Sequence, residues 1–213
     1  MAFAVRPGQT LLFTGDSITD AGRLTGSAPL GSGYVRLIAD LINARYPRHQ
    51  LNVINTGIGG NHIRDLAGRW FDDVIRHEPD WVSIMIGIND LHRWVGGHPD
   101  HVRPQTYARL YDQILDQLKE RTHARVVLIE PFYMSTDPRK DSARTEILRT
   151  LPQYLRTVHA MARKHRARLL PMHRIFKAQL RHNLPSRFGS DPVHPGPSGN
   201  AVIAHAWLQS MGW

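Results

Sequence analysis

The sequence predicts an α/β chain, a three-layer α/β/α sandwich around a five-stranded parallel sheet. Short apolar runs alternate along it with longer amphipathic stretches. That alternation implies parallel strands joined by right-handed helical crossovers, with helices on both faces of the sheet. The runs are apolar almost continuously rather than at every second residue, as strands covered on both faces are. No repeat, low-complexity tract or linker divides the 213 residues, so a single domain over residues 1–213 is expected.

The expected strands are residues 10–15 (TLLFTG), 51–55 (LNVIN), 81–86 (WVSIMI), 125–130 (RVVLIE) and 167–171 (ARLLP). The expected helices are 33–45, 63–77, 104–121, 144–165 and 197–210. The third begins with Pro104, a favourable first helical residue, and sets Leu110, Ile114, Leu115 and Leu118 on one face. Residues 92–103 and 131–143 are rich in Pro, Gly, His and Asp and read as long loops after strands three and four. Open parallel sheets bind ligands at the carboxyl ends of their strands, so those ends are where chemistry is expected.

Composition narrows the function classes. The chain is 41% apolar and 21% charged, the balance of an ordinary folded protein. It has no cysteine, which excludes disulfides, thiolate zinc sites and a cysteine nucleophile. No apolar run approaches the roughly 20 residues of a membrane span, so no membrane partner is expected. The apolar stretch Ala2–Val5 stops at Arg6 and Pro7, too short for a signal-peptide core, and a cytoplasmic location is expected. The formal charge of +9 raises a basic nucleic-acid-binding protein as a non-enzyme alternative. The cations are spread over the whole length, though, with no basic tail and no aromatic-plus-basic signature. A solvated basic surface without a nucleic-acid partner is expected instead.

The strand ends are distinctive. The first runs into Gly15-Asp16-Ser17, the second into Asn55-Thr56-Gly57-Ile58-Gly59-Gly60-Asn61, the third into Gly87-Ile88-Asn89-Asp90. Asp191-Pro192-Val193-His194-Pro195 precedes the last helix. Either Gly-Asp-Ser merely punctuates a strand–helix junction, or Ser17 is a nucleophile held at the end of the sheet. Together the blocks supply a hydroxyl, flexible backbone amides, a carboxamide, a carboxylate and an imidazole, the parts of a serine acyl-transfer site.

In this order GDS, GxxGG-N, GxND and DxxH resemble the SGNH hydrolases, the GDSL-type esterases with a flavodoxin-like sheet. Ile18 stands where the GDSL name has leucine. The longer strings GDSITD, TGIGGNHIRDL, DWVSIMIGIND, PFYM and DPVHP are similar to bacterial serine acetylxylan esterases and other carbohydrate acetylesterases of that family. The resemblance implies a serine carboxylic ester hydrolase that deacetylates xylo-oligosaccharides or similar carbohydrates, without cofactor or metal, and a homo-oligomer. The alternative within enzymes is a broad short-chain esterase, thioesterase or lysophospholipase.

A serine hydroxyl is a poor nucleophile at neutral pH and needs a base. His194 is the candidate, since an imidazole takes and returns a proton near neutrality. Asp191, three residues earlier, is placed to hold its other ring nitrogen. The tetrahedral intermediate needs donors. The assignment is the backbone amides of Ser17 and Gly60 and the side-chain amide of Asn89, the resemblance pointing to Gly60 rather than Gly57 or Gly59.

Other residues carry two readings each. Asp16 reads as a turn or cap residue supporting Ser17, and Asp90 as a structural acid bonding backbone behind Asn89. Asp20 and Arg23 either shape the site or pair with each other. Trp94, Tyr133 and Phe132, placed in the long loops, either contact sugar rings or serve as core lids or an oligomer contact. His98 and His101 have a metal-like spacing but no second ligand group nearby, and read as a surface loop. The start Gly57-x-Gly59 also fits a dinucleotide-binding turn, but His62 stands where the third glycine belongs, and that reading is set aside.

Overall fold

The computed structural model describes residues 2–137 and 142–213. Five strands, β1 (Thr10–Gly15), β2 (Asn52–Asn55), β3 (Trp81–Met85), β4 (Arg125–Ile129) and β5 (Arg168–Leu170), form one parallel sheet in the order β2-β1-β3-β4-β5. In register, Leu12 lies opposite Ile54 on one side and Val82 on the other, and Ile84 opposite Leu128. Leu11, Leu12 and Phe13 of β1 and all of β3 are buried, because helices cover both faces.

The helices are α1 (Ser17–Asp20), α2 (Tyr34–Arg45), α3 (Ile63–Gly68), α4 (Trp70–Asp73), α5 (Ile88–Val95), α6 (Pro104–Arg121), α7 (Ala143–Lys164), α8 (Met172–Gln179) and α9 (Pro197–Ser210). Helix α2 packs on α9, and α9 on α8. On the other face α3 meets α6, α6 meets α7, and α7 meets α5. Pro104 and Pro197 open α6 and α9 at positions whose N–H groups have no helical acceptor anyway. The Ser142 hydroxyl caps α7 by accepting the Thr145 N–H.

The chain departs from its sequence pattern in four places. The single helix expected over 63–77 is broken into α3, α4 and a 3₁₀ turn at Ile75–His77. The break falls at Arg69 (φ −106°, ψ 8°), whose guanidinium turns inward to the ends of β1 and β2 instead of continuing the helix. Residues 92–95, expected in a loop, belong to α5. Helix α8, which puts Met172 and Phe176 into the core, has no counterpart among the expected helices. The expected loop 131–143 is irregular over 131–137 and helical from Ala143; residues 138–141 lie outside the described residues.

The sheet order has one switch point. The chain steps from β1 to β2 in one direction and continues through β3 in the other, so the connections leave β1 and β3 on opposite sides. Such a switch point, at the carboxyl ends of these two strands, is where open parallel sheets bind ligands. Against the sheet Trp207 of α9 is fully buried, tilts onto Phe13 at 5.4 Å and donates Nε1–H to the Ser83 hydroxyl at 2.9 Å. Trp207→Ala removes that packing and strands the hydroxyl. It is expected to cost about 3–5 kcal/mol in urea unfolding.

Candidate active site

Each residue of Gly15-Asp16-Ser17 has a local reason. A Cβ at Gly15 (φ +154°) would fall 2.1 Å from the Met85 carbonyl oxygen of β3, so only glycine lets the two strand ends approach this closely. Asp16 is the N-cap of α1 and accepts the Ile18 N–H at 3.0 Å. Ser17 is therefore the first helical residue, lifted at the carboxyl end of β1.

Its Oγ lies 3.0 Å from His194 Nε2, and His194 Nδ1 lies 2.9 Å from Asp191 Oδ2. Asp191 Oδ1 accepts the backbone N–H groups of Val193 (2.7 Å) and His194 (2.8 Å). Burial by itself would raise the Asp191 carboxyl; the two amides and the imidazole outweigh it and hold the group below its ordinary value. Asp191 thus stays an anion facing the ring, and the ring points its other nitrogen at Ser17. The loop is pinned at both ends. Met134 N–H bonds the Pro192 carbonyl at 2.7 Å, while Asn200 donates to Pro195 and Gly196 carbonyls and accepts the Tyr34 amide.

The glycine loop after β2 is held amide by amide. Gly57 N–H goes to Asn55 Oδ1, Ile58 N–H to the Gly15 carbonyl, Gly59 N–H to Asp20 Oδ2 and Asn61 N–H to the Ile58 carbonyl. Among the described residues the amides of Gly60 and Ser17 have no acceptor. The Asn89 carboxamide, on α5 at the end of β3, donates to the Asn61 carbonyl at 2.9 Å and keeps a second N–H. Three donors without an acceptor among the described residues thus lie on the segments that follow the carboxyl ends of β1, β2 and β3.

The remaining expected residues fall into place as follows. Asp20 and Arg23 do not pair side chain to side chain. Asp20 holds Gly59, and Arg23 Nε donates to the Gly57 carbonyl at 2.6 Å, so both shape the glycine loop from behind. Asp90 is buried and accepts the Ile63 N–H with both oxygens at 3.2 Å. Trp94 is on α5, not in a loop, and edges onto His101 at 5.0 Å. Tyr133 is 6% exposed with its ring against His92, which leaves little of it for a sugar face. Phe132 is a core residue packed on Phe176.

Neither histidine of the metal-like pair converges on a shared point: His98 Nδ1 meets Asp100, and His101 Nδ1 meets the His98 carbonyl. Elsewhere Asp112, Asp116 and His165 are grouped closely enough to hold an ion, but the Lys164 ammonium already lies 2.6–3.4 Å from those carboxylates.

Sequence reasoning missed three residues. Arg69 donates to the Gly15 and Thr56 carbonyls, Asn61 Oδ1 and Asp73, tying the ends of β1 and β2 to the glycine loop. His92 follows Asn89 by one helical turn, with its Nε2 buried and unpartnered among the described residues. Burial lowers its basicity, opposed by Asp191 and reinforced by His194. Arg93 donates to the Gly60 carbonyl at 3.1 Å. The contacts that matter at the site, Arg69 to Gly15 and Thr56 and Arg93 to Gly60, join residues distant in sequence and leave no local signal.

Known proteins resemble this chain over nearly its whole length. An acetylxylan esterase of Geobacillus stearothermophilus is 38% identical over 214 residues, spanning 97% of this chain and 95% of the relative. The crystal structure of Axe2, an acetylxylan esterase from the same organism, superposes with a TM-score of 0.88 at 36% identity, covering 99% of this chain and 97% of that one. LAE5, an alpha/beta hydrolase enzyme from the metagenome of Lake Arreo in Spain, gives a TM-score of 0.88 at 32% identity, covering 99% and 98%. The GDSL-like lipase/acylhydrolase family model matches residues 13–202, and the chain belongs to that family.

Proposed function

We propose that this chain, a single domain over residues 1–213, is a serine esterase that removes acetyl groups from acetylated xylo-oligosaccharides through an acyl-enzyme. The observation that carries the reading is the hydrogen-bonded series Ser17–His194–Asp191 beside the unpaired amides of Ser17 and Gly60. Relatives add support. The Geobacillus enzyme is described as an acetyl-xylooligosaccharide esterase, and its solved catalytic mutants replace a serine, an aspartate and a histidine.

Ser17 Oγ attacks the acetyl carbonyl as His194 Nε2 takes its proton. Asp191 holds the imidazole tautomer and stabilises the cation that forms. The developing oxyanion is met by the Ser17 and Gly60 amides and the free N–H of Asn89. His194 then protonates the departing sugar oxygen as its bond to the acetyl carbon breaks, takes a proton from the water that attacks the acetyl-serine, and returns it to Ser17 Oγ as acetate leaves. No step calls on a metal or cofactor. Asp20 and Arg23 act by holding the glycine loop, and Trp94 stands on the sugar side. The enzyme works in the cytoplasm on small oligosaccharides and as a homo-oligomer. No helix among the described residues is long and apolar enough to cross a membrane.

The test is a set of initial rates on acetylated xylo-oligosaccharides and on p-nitrophenyl esters from acetyl to octanoyl. Deacetylation of the sugar is expected, with a loss of more than about tenfold between acetyl and hexanoyl esters, because added methylenes have no place in an acetyl-sized site. A maximum at longer chains would move the substrate to lipids or thioesters and overturn the acetyl assignment.

A further inference from the structure

We infer that Arg93 is the positioning residue for the oxyanion-binding amide of Gly60. This rests on the acyl-transfer reading above and assigns a role to a residue that takes no part in the chemistry itself.

The geometry of the loop isolates Gly60. Its backbone is left-handed (φ +78°), and a Cβ there would meet nothing within 4 Å. The side on which a side chain would stand is therefore open. Upstream the loop is tied at Gly57, Ile58 and Gly59. Downstream the two successive carbonyls, of Gly60 and Asn61, are held by Arg93 and Asn89. Both belong to α5, four residues apart, so they share one helix face. One short helix thus carries the third oxyanion donor and orients the peptide next to the second. The φ of a glycine is soft. The guanidinium on the Gly60 carbonyl fixes the 60–61 peptide, and with the Gly59 N–H tied to Asp20 the intervening 59–60 peptide, which carries the Gly60 N–H, is held from both sides.

Arg93 is itself anchored. Its Nη1 bonds the Asp100 carboxylate while Nη2 bonds Gly60, and Asp100 is bonded in turn by His98 Nδ1. The planar fork spans both acceptors at once, which a lysine ammonium does not do with the same geometry. The residues that complete it lie in the segment after α5, so the segment 96–103 braces the oxyanion loop through one side chain.

Removing an oxyanion donor outright costs on the order of 10²–10³ in turnover. Arg93→Ala frees the donor to wander without deleting it, so a kcat lower by at least about tenfold is expected, with KM changed by less than about twofold. Phenylboronic acid, a tetrahedral adduct former at the serine, is expected to lose affinity by the same factor as kcat. Guanidinium chloride at tens of millimolar restores part of the rate of Arg93→Ala but none to the wild type. Arg93→Lys is intermediate. Asp100→Asn, an exposed change that weakens only the anchor, gives a smaller loss in kcat alone, and decides the matter if Arg93→Ala melts below the assay temperature.

Arg93→Ala with kcat within about twofold of wild type, or a loss confined to KM with boronate affinity intact, would overturn the assignment. Failure of the underlying reading looks different. There the wild type would resist phenylboronic acid, or Ser17→Ala would keep its rate, whatever Arg93 does.

Discussion

Ser17→Ala and His194→Ala are each expected to lower kcat on acetyl esters by about four orders of magnitude or more, and the double variant by no more than either alone. The hydroxyl and the imidazole act as one unit across 3.0 Å. Once either is gone, the other has no reaction to support. Asp191→Asn is expected to lose on the order of 10⁴, because an amide facing Nδ1 favours the wrong tautomer of His194. The losses should be confined to chemistry. Ser17 Oγ has His194 as its one side-chain partner among the described residues, and the pair is open to solvent, so Ser17→Ala should melt within about 1 °C of wild type. Steady-state rates with a fluorophosphonate label on Ser17 check both halves. A Ser17→Ala enzyme within tenfold of the wild-type rate would exclude the serine mechanism.

The stability of the protein is expected to fall as pH rises from about 4 to about 7, through two buried acids under the site. Burial pushes the Asp16 and Asp90 carboxyls from an ordinary 3.8 to about 7, against the lowering effect of the Ile18 and Ile63 amides. Below pH 4 both carboxyls are protonated whether the chain is folded or not, and the contribution is whole. Between pH 4 and 7 the unfolded chain gives up these protons while the folded chain keeps them. The folded state then binds more protons, and each carboxyl withdraws about 1.4 kcal/mol per pH unit. Above pH 7 the loss is complete. Asp191 and Asp112 are held low and work in the opposite direction, so the test is a difference. In Asp90→Asn the amide oxygen still accepts the Ile63 N–H but never ionises. That variant should match wild type at pH 4 and exceed it by about 4 kcal/mol at pH 8 in urea unfolding. Equal stabilities at pH 8 would show that the carboxyl is solvated there. Two carboxyls kept dry beneath a polar cleft are a stability cost placed at the site itself.

Much of the architecture was legible because it is written locally. A parallel strand covered on both faces is apolar nearly throughout, as are Leu11–Phe13, Val82–Ile86 (with Ser83 its one polar residue) and Val126–Ile129. Glycine was needed where β1 meets β3, a cap before α1, and Pro at the start of α6, all within a few residues of the signal that announces them. The misses have physical causes too. The 63–77 stretch has helical periodicity throughout, yet it breaks at Arg69 because bonds to Gly15 and Thr56 outweigh the continuation of one helix. The motif Gly87-Ile88-Asn89-Asp90 begins α5 although Asn and Asp are poor helix formers, because their side chains are satisfied by Asn61 and Ile63. Helix α8 carried an apolar pattern at Met172, Ile175 and Phe176 that was short enough to pass as a connection.

The residue types of the site, a serine, a histidine, an aspartate, glycines and an asparagine, stand in the sequence beside the strand ends that present them. Their order alone pointed to acyl transfer. What folding decided is which of several glycine amides is left unbonded, and which of twenty-three arginines holds it there. The other glycine amides of that loop are taken, Gly57 by nearby Asn55 and Gly59 by distant Asp20, and a hydrogen bond between residues more than thirty positions apart leaves no trace in either residue's neighbours.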